Sequence, residues 1–325
     1  DFAQRTNGRR SMMRTVLLAL ICFGLSSAPV WAAAPQQPRV RIAYASISSI
    51  FAGLWVAKET GAFERYGVRG ELLYIGAGSV AVQAMMGGEV EVVAGAGNAV
   101  IAATLKGAPL ISVGSVVNVP AMTLWVQPEI KKPEQLQGKT LGISRHGSAT
   151  HYLTLVALEK LGLKDKVKLQ ALGGAPETDA SFRAGLIAGA VRSVKPDRKA
   201  HGLVDLAELN IPFPMDLFAV NREYYKQSAR VVEAMLKAYS DGVATIKNRK
   251  DVAVDVMRKY LRKADVEDSY EYAFRYLERI PRVDHGSIQT VLAMENRPDI
   301  AANRFYDNTI IDRLVQEGFF EGLYK

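Results

Sequence analysis

Three short segments carry the chemistry this chain offers. Leu72–Ile75 runs into Gly76-Ala77-Gly78-Ser79, Val90–Ala94 into Gly95-Ala96-Gly97-Asn98, and Thr140–Ile143 into Ser144-Arg145-His146-Gly147-Ser148. Each reads as an apolar strand ending in a Gly/Ser/Asn loop that opens a helix. Such a loop presents backbone N–H groups and the positive end of a helix to an anionic or polar small molecule. Three of them point to a ligand held by many neutral donors rather than to a catalytic cluster. Ser46, Ser48 and Ser49, just past the strand Val40–Ala45, add hydroxyls at the mouth of the same site. The candidate ligand-binding set is Ser46, Ser48, Ser49, Trp55, Gly78, Ser79, Gly97, Asn98, Thr123, Gly147, Ser148, Thr150 and Arg192. Ser79, Asn98 and Ser148 suit helix capping equally well. No catalytic residue, metal ligand or cofactor is expected.

Competing motifs fail on spacing. Gly76-Ala77-Gly78-Ser79-Val80-Ala81 fits G-x-G-x-x-[GA], but it follows the second strand, and Asn98 stands near where a ribose-binding acid is sought. Gly138-Lys139-Thr140 imitates the end of a phosphate-binding loop, yet Pro133 occupies the position of that motif's first glycine. Arg145, His146 and His151 flank the third loop with no carboxylate or hydroxyl at a spacing that makes a base. Arg192 and Lys195 are the charged candidates, as counter-charges for a carboxylate, sulfonate or phosphate. Phe51, Trp55, Trp125 and Tyr152 are either core or pocket aromatics.

The elements that must position these residues alternate. Strands at 40–45, 72–75, 90–94 and 110–117 are separated by helical patterns at 54–66, 80–86 and 99–106. That alternation predicts βαβ units and a mostly parallel sheet, with ligands outside the carboxyl ends of the strands. The pattern then resets. Strands at 123–126, 140–143, 167–172 and 190–194, with helices at 148–161 and 178–187, form a second and smaller α/β unit. A strand at Leu217–Asn221 brings the chain back, and Val231, Met235, Tyr239, Val243 and Ile246 recur at helical spacing beyond it. Two crossings, near 121–127 and 214–221, predict a hinge with a cleft. The expected division is 1–34 as upstream residues and leader, 39–122 plus 222–325 as lobe I, and 123–221 as lobe II.

Met12-Met13-Arg14, the apolar run Thr15–Leu25 and the small residues around Ala32-Ala33-Ala34 read as a secretory signal peptide, too short to span a bilayer. The one cysteine, Cys22, lies inside that run, so disulfides, Cys–zinc sites and Cys nucleophiles are excluded from the mature chain. The formal charge is +8, and residues 35–325 hold 37 basic against 32 acidic side chains. That balance favours anionic ligands weakly and is too dilute for nucleic acid.

Val40–Tyr44 leading to Gly61-Ala62-Phe63-Glu64-Arg65-Tyr66-Gly67-Val68, then Leu136-Gln137-Gly138-Lys139-Thr140-Leu141-Gly142-Ile143, Ala157–Leu163 and Asp307–Gly318 follow one another in a telling order. Together they resemble the periplasmic substrate-binding proteins of bacterial ABC importers, of the sulfonate/nitrate/taurine and thiamine-pyrimidine-precursor type. The resemblance spans about Arg39 to Lys325. It implies an α/β, two-lobed periplasmic binding protein-like fold of type II with a ligand cleft between the lobes. It further implies a periplasmic monomer that is not an enzyme. Such a protein would capture a small organic anion or nitrogen-containing molecule (sulfonate, carboxylate, nitrate or pyrimidine) by lobe closure and deliver it to permease and ATPase subunits. A ligand-sensing subunit for a membrane signalling partner stays open, as does a pyrimidine-precursor synthase on the same fold. One departure concerns Gly185–Val191, where Ala188 stands in place of the acid many members carry.

Overall fold

The computed structural model describes residues 37–325. The expected secretory leader, with Cys22, lies outside the described residues. Two five-stranded sheets organise the chain. The first has the order β2-β1-β3-β10-β4, from Arg39–Tyr44 (β1), Arg69–Tyr74 (β2), Val92–Ala96 (β3), Leu110–Val117 (β4) and Asp216–Asn221 (β10). The second has the order β7-β6-β8-β5-β9, from Thr123–Val126 (β5), Thr140–Ile143 (β6), Lys168–Ala171 (β7), Gly189–Arg192 (β8) and His201–Asp205 (β9). In each, three adjacent strands pair in parallel, the far edge strand runs in the same direction, and a strand arriving from the other sheet inserts antiparallel: β10 between β3 and β4, β5 between β8 and β9.

This order creates a switch point in each sheet, because the chain winds to one side of the first parallel strand and then to the other. β1 is flanked by β2 and β3, and β6 by β7 and β8. Crevices for ligands open at the carboxyl ends of such strands. Three helices start at those ends: Gly78–Met86 (α3), Ala149–Lys160 (α5) and Ala175–Arg183 (α6). Three others precede or separate them in chain order, namely Ala52–Glu59 (α1), Ala62–Arg65 (α2) and Gly97–Leu105 (α4).

The remaining helices thicken the first lobe. Arg222–Asn248 (α7), interrupted by non-helical Ser228, buries Val232, Met235, Leu236, Tyr239, Val243 and Ile246 on one face. It crosses α1 at a pair of glycines. A Cβ on Gly242 would lie 2.1 Å from the Gly53 carbonyl oxygen, so the backbones touch where neither residue has a side chain. Lys250–Leu261 (α8), Glu267–Tyr276 (α9), His285–Met294 (α10), Thr309–Gln316 (α11) and Phe319–Leu323 (α12) complete the chain.

Among the described residues two segments link the sheets, 118–122 and 206–215, and they lie side by side. Phe213 N–H donates to the Asn118 carbonyl (2.9 Å), Met215 N–H to the Val117 carbonyl (3.1 Å), and Leu206 N–H to the Met122 carbonyl (2.9 Å). Tyr272 on α9 donates its hydroxyl to the Ala121 carbonyl at 2.8 Å, and Glu278 accepts from the Asn118 backbone at 3.3 Å. The paired crossings therefore rest on a fixed support in the first lobe.

Several elements differ from the sequence reading. The helix expected over 54–66 is two helices, parted by Gly61 at φ 70°, which only glycine adopts without strain. The second donor loop does not form: β3 continues to Ala96 and α4 begins at Gly97. A Cβ on Gly97 would stand 2.0 Å from the Pro214 carbonyl oxygen, so the glycine serves close approach of a crossing segment. β9 had no counterpart in the reading, and β10 belongs to the first sheet, so the chain re-enters that sheet at Asp216.

Candidate functional site

The two switch points open onto one cavity of about 60 Å³. At roughly 10–15 Å³ of such space per water, it holds about five waters or a comparably small solute. The first lobe contributes Ala45, Ser46 and Ser48 after β1, Ala77 and Gly78 at the start of α3, and Asp216 at the start of β10; Met122 contributes from a crossing segment. The second lobe contributes Ile143, Ser144, Ser148 and Thr150 after β6, Gly174, Ala175 and Thr178 at α6, and Val191, Arg192 and Ser193 at the end of β8.

The hydroxyls of the second lobe form a triangle. Ser144 Oγ lies 3.0 Å from Ser148 Oγ and 2.8 Å from Thr150 Oγ1, and Ser148 Oγ lies 3.0 Å from Thr150 Oγ1. Ser148 donates its own proton to the Arg145 carbonyl at 2.7 Å and accepts from the His151 N–H as the cap of α5. Thr178 donates to the Gly174 carbonyl at 2.8 Å. A hydroxyl has one proton and two lone pairs, so these side chains offer more acceptor than donor capacity to a ligand.

Arg192 is buried, and its guanidinium forks onto a buried carboxylate. Nε lies 2.9 Å from Asp179 Oδ1 and Nη2 lies 3.3 Å from Oδ2. The expected counter-charge is thus in the cavity wall but already matched. Trp125 Nε1 donates to the Arg192 carbonyl, fixing the strand end from behind. Ala77 holds φ 71°, a region uncommon for a residue with a Cβ, between Gly76 and Gly78 at the opening of α3. Its N–H donates to the Ala45 carbonyl at 3.1 Å, which ties the α3 opening to the end of β1.

Several polar contacts join the lobes; at the surface, Arg198 of the second lobe pairs with Asp265 of the first at 3.9 Å. Ser48 Oγ and Ser193 Oγ are 2.8 Å apart, Asn98 Nδ2 donates to the Gly147 carbonyl at 2.9 Å, and Tyr152 donates its hydroxyl to the Glu295 carboxylate. Burial, then Glu295, push the Tyr152 phenol above its ordinary range. Tyr74 at the end of β2 also leans across, since a Cβ on Gly174 would meet its hydroxyl at 2.5 Å.

Of the residues singled out in the sequence, Ser46, Ser48, Gly78, Ser148, Thr150 and Arg192 line the cavity. Ser79 sits half-buried one residue further along α3, and Thr123 half-buried on β5 beside Arg192. Asn98 and Gly147 bridge the lobes instead of lining the site, and Gly97 packs on Pro214. Ser49 is buried and not in the lining, and Trp55 is fully buried, stacked on Tyr260 at 5.0 Å. Phe51 is likewise core. Lys195 is exposed on another groove, over the Trp125 ring. His151 accepts from the Gly147 N–H through Nδ1, and burial followed by His146 pulls its pKa down, so it behaves as a neutral structural ring. Ser144 opens the third loop that the sequence offered, though it was not among the candidate residues; Gly174, Thr178, Ser193 and Asp216 also line the cavity and were not singled out as ligand residues. Among the described residues no group of three or more His, Cys, Asp or Glu is placed to hold a metal ion, and no helix is long and apolar enough to cross a membrane.

The family model described as NMT1/THI5 like matches residues 48–253. No curated protein sequence matches the chain closely enough to count as a relative. Among solved structures, the alkanesulfonate-binding protein SsuA of Xanthomonas axonopodis pv. citri, bound to MOPS, superposes with TM-score 0.72 at 19% identity, over 85% of this chain and 100% of its own. The ligand-binding component of an ABC-type import system from Staphylococcus aureus, with zinc bound, gives TM-score 0.71 at 14% identity, over 85% and 98%. The desulfurization enzyme DszB gives TM-score 0.57 at 14% identity, over 86% and 99%. At these identities the likeness shows the fold, a two-lobed binding-protein arrangement of α/β lobes.

Proposed function

Because this chain belongs to the NMT1/THI5-like family, we propose that it is an exported solute-binding protein, the capture component of an importer in the bacterial envelope. The single observation that carries this reading is the convergence of two switch points, one per sheet, on one small cavity that several hydroxyls line, between lobes joined by two crossing segments among the described residues. Such a construction closes around a solute by hinge motion, driven by contacts made only in the closed form. Ser48, Ser144, Thr150, Arg192 and Asp216 hold the ligand in this proposal, and the cross-cleft contacts hold the lobes together once it is seated. The protein acts as a monomer in the periplasm and hands its ligand to permease and ATPase subunits.

The alternative of catalysis finds no support in the cavity. The hydroxyls of Ser48, Ser144, Ser148, Thr150, Thr178 and Ser193 are engaged with one another or with carbonyls, and no histidine lines the cavity. Native mass spectrometry of the purified protein, combined with small-angle scattering before and after the bound molecule is stripped, tests the reading. The expected result is a retained small molecule and a larger radius of gyration once it is removed. Turnover of that molecule, or a radius indifferent to it, overturns the proposal.

A further inference from the structure

We propose that His151 is a positioning residue for lobe closure, and that the lobes part when its ring takes up a proton. The inference rests on the solute-capture reading and adds a control to it. His151 stands in the first turn of α5, half-buried and outside the cavity lining. It acts through Gly147. The Gly147 N–H donates to His151 Nδ1 at 3.2 Å, while the carbonyl of the same residue accepts from Asn98 Nδ2 of the first lobe at 2.9 Å. One glycine therefore carries the histidine contact at one end and a cross-cleft contact at the other.

The first of these contacts exists in one protonation state alone. A neutral imidazole has a lone pair on one nitrogen and a proton on the other, so accepting at Nδ1 places the proton on Nε2. In the imidazolium both nitrogens donate, and Nδ1 would set an N–H against the Gly147 N–H. The loop then has to turn away. Gly147 lies at φ 77°, and no described residue beyond its chain neighbours comes within 4 Å of where its Cβ would stand, so its backbone can rotate and take the carbonyl off Asn98. The same turn disturbs the cavity wall. Ser148 follows directly, its Oγ grouped with Ser144 and Thr150 in the lining and bonded across the loop to the Arg145 carbonyl at 2.7 Å.

The surroundings of the ring oppose the proton while the lobes are together. His146 meets it edge-on with ring centroids 5.0 Å apart, Arg145 lies in the same loop, and the positive end of α5 is beside it. Tyr152 packs on it at 5.8 Å, and the Glu295 carboxylate of the first lobe accepts from that phenol. On β8, packed against α5, Arg192 is matched by Asp179. α4 and β6, also against α5, carry no titratable side chain. Burial, then His146, hold the His151 pKa below the ordinary histidine value. Once the loop has turned, Nδ1 can donate, so the open form has the higher pKa. Closure is complete above the closed-form value and is lost as pH falls through it, the open-to-closed ratio rising by up to about tenfold per pH unit.

Imidazole-nitrogen NMR on the protein as purified gives the tautomer and titration of His151, and small-angle scattering from about pH 7.5 to about pH 5 follows the lobes. His151→Asn is the conservative variant, since its amide oxygen stands near the Nδ1 position and takes no proton. The expected result is an Nε2–H tautomer at neutral pH and one shared midpoint for His151, the Gly147 amide and the Asn98 side-chain amide. The radius of gyration grows through that midpoint in the unaltered protein and stays compact in His151→Asn. A ring that is merely structural leaves the Asn98 resonances and the radius untouched by the titration, and that result overturns the inference, as does expansion of both proteins together. A radius that answers to removal of the retained molecule but not to pH leaves solute capture standing without this control; one that answers to neither overturns both. Where His151→Asn does not fold, shared or separate midpoints in the unaltered protein decide the matter.

Discussion

Replacing Tyr152 with Phe removes one hydroxyl and nothing else, and that hydroxyl reaches across the cleft to a carboxylate. Tyr152 stands on α5 in the second lobe, and Glu295 follows α10 in the first. A hydrogen bond to an ionised group contributes about 1.5–3 kcal/mol. Both residues are half-buried, so the lower end applies, about 1.5 kcal/mol, or roughly tenfold in an equilibrium constant. If the bond exists only when the lobes are together, Tyr152→Phe shifts the open–closed balance by that factor. A ligand that binds the closed form then loses affinity in proportion to the lost closed population, up to the full tenfold where the closed form is the minor one. Calorimetry with the retained ligand measures the affinity, and small-angle scattering of the ligand-free protein measures the balance. A double-mutant cycle with Glu295→Gln isolates the pair. Unchanged affinity and unchanged scattering in Tyr152→Phe would refute the claim that this contact belongs to closure.

Arg192→Ala is expected to destabilise the protein by about 3–5 kcal/mol, because Asp179 is left buried and unpaired; replacing both with apolar residues of similar volume should recover much of it in a denaturant melt. Gly97→Ala should lower the melting temperature, as the new methyl would meet the Pro214 carbonyl at 2.0 Å and either α4 or the crossing segment must move, a strain of about 1–3 kcal/mol. Glu278, beside the crossing at Asn118, has its pKa raised by burial, against the pull of its hydrogen bonds from Asn118. The folded protein therefore holds this proton more tightly than the unfolded chain. Stability from this group is greatest below the unfolded carboxylate value and falls as pH rises through the raised folded value. Glu278→Gln, which keeps an acceptor for Asn118, should flatten that limb of the stability–pH profile and stabilise the protein at neutral pH; a parallel profile would contradict the assignment.

The alternation of strands and helices was readable because strands such as β3 and β6 are short apolar runs followed by Gly or Ser loops, and the two α/β units were separable because that rhythm restarts at Thr123. The site was readable only where it follows such a run. Ser46, Ser48, Gly78, Ser148 and Thr150 stand at strand ends and line the cavity. Asn98 and Gly97 satisfy the same local pattern yet serve contact between lobes, because a Gly in the right place signals close approach as readily as a ligand loop. Asp216 and Ser193 had no local signal at all: one opens an antiparallel strand returning from the other lobe, the other follows a strand in the second sheet, and only the folded chain sets them on one cavity. Asp179 lies on α6 outside the lining, so the pairing that cancels Arg192 was invisible from Arg192 alone. β9 escaped notice because it is an edge strand with mostly half-exposed residues and no clean alternation.

The insertion of β10 between β3 and β4 orders the birth of the two lobes. β5 through β9 occupy one uninterrupted stretch, 123–205, so the second sheet has every strand it needs before residue 216 leaves the ribosome. The first sheet does not. Until Asp216–Asn221 arrives, β3 and β4 each present an unpaired flank, and a chain cut after residue 205 would expose both to other molecules. The lobe that begins the protein is accordingly the last to be finished, and it is completed by a strand that reaches it only after the other lobe's strands have been made.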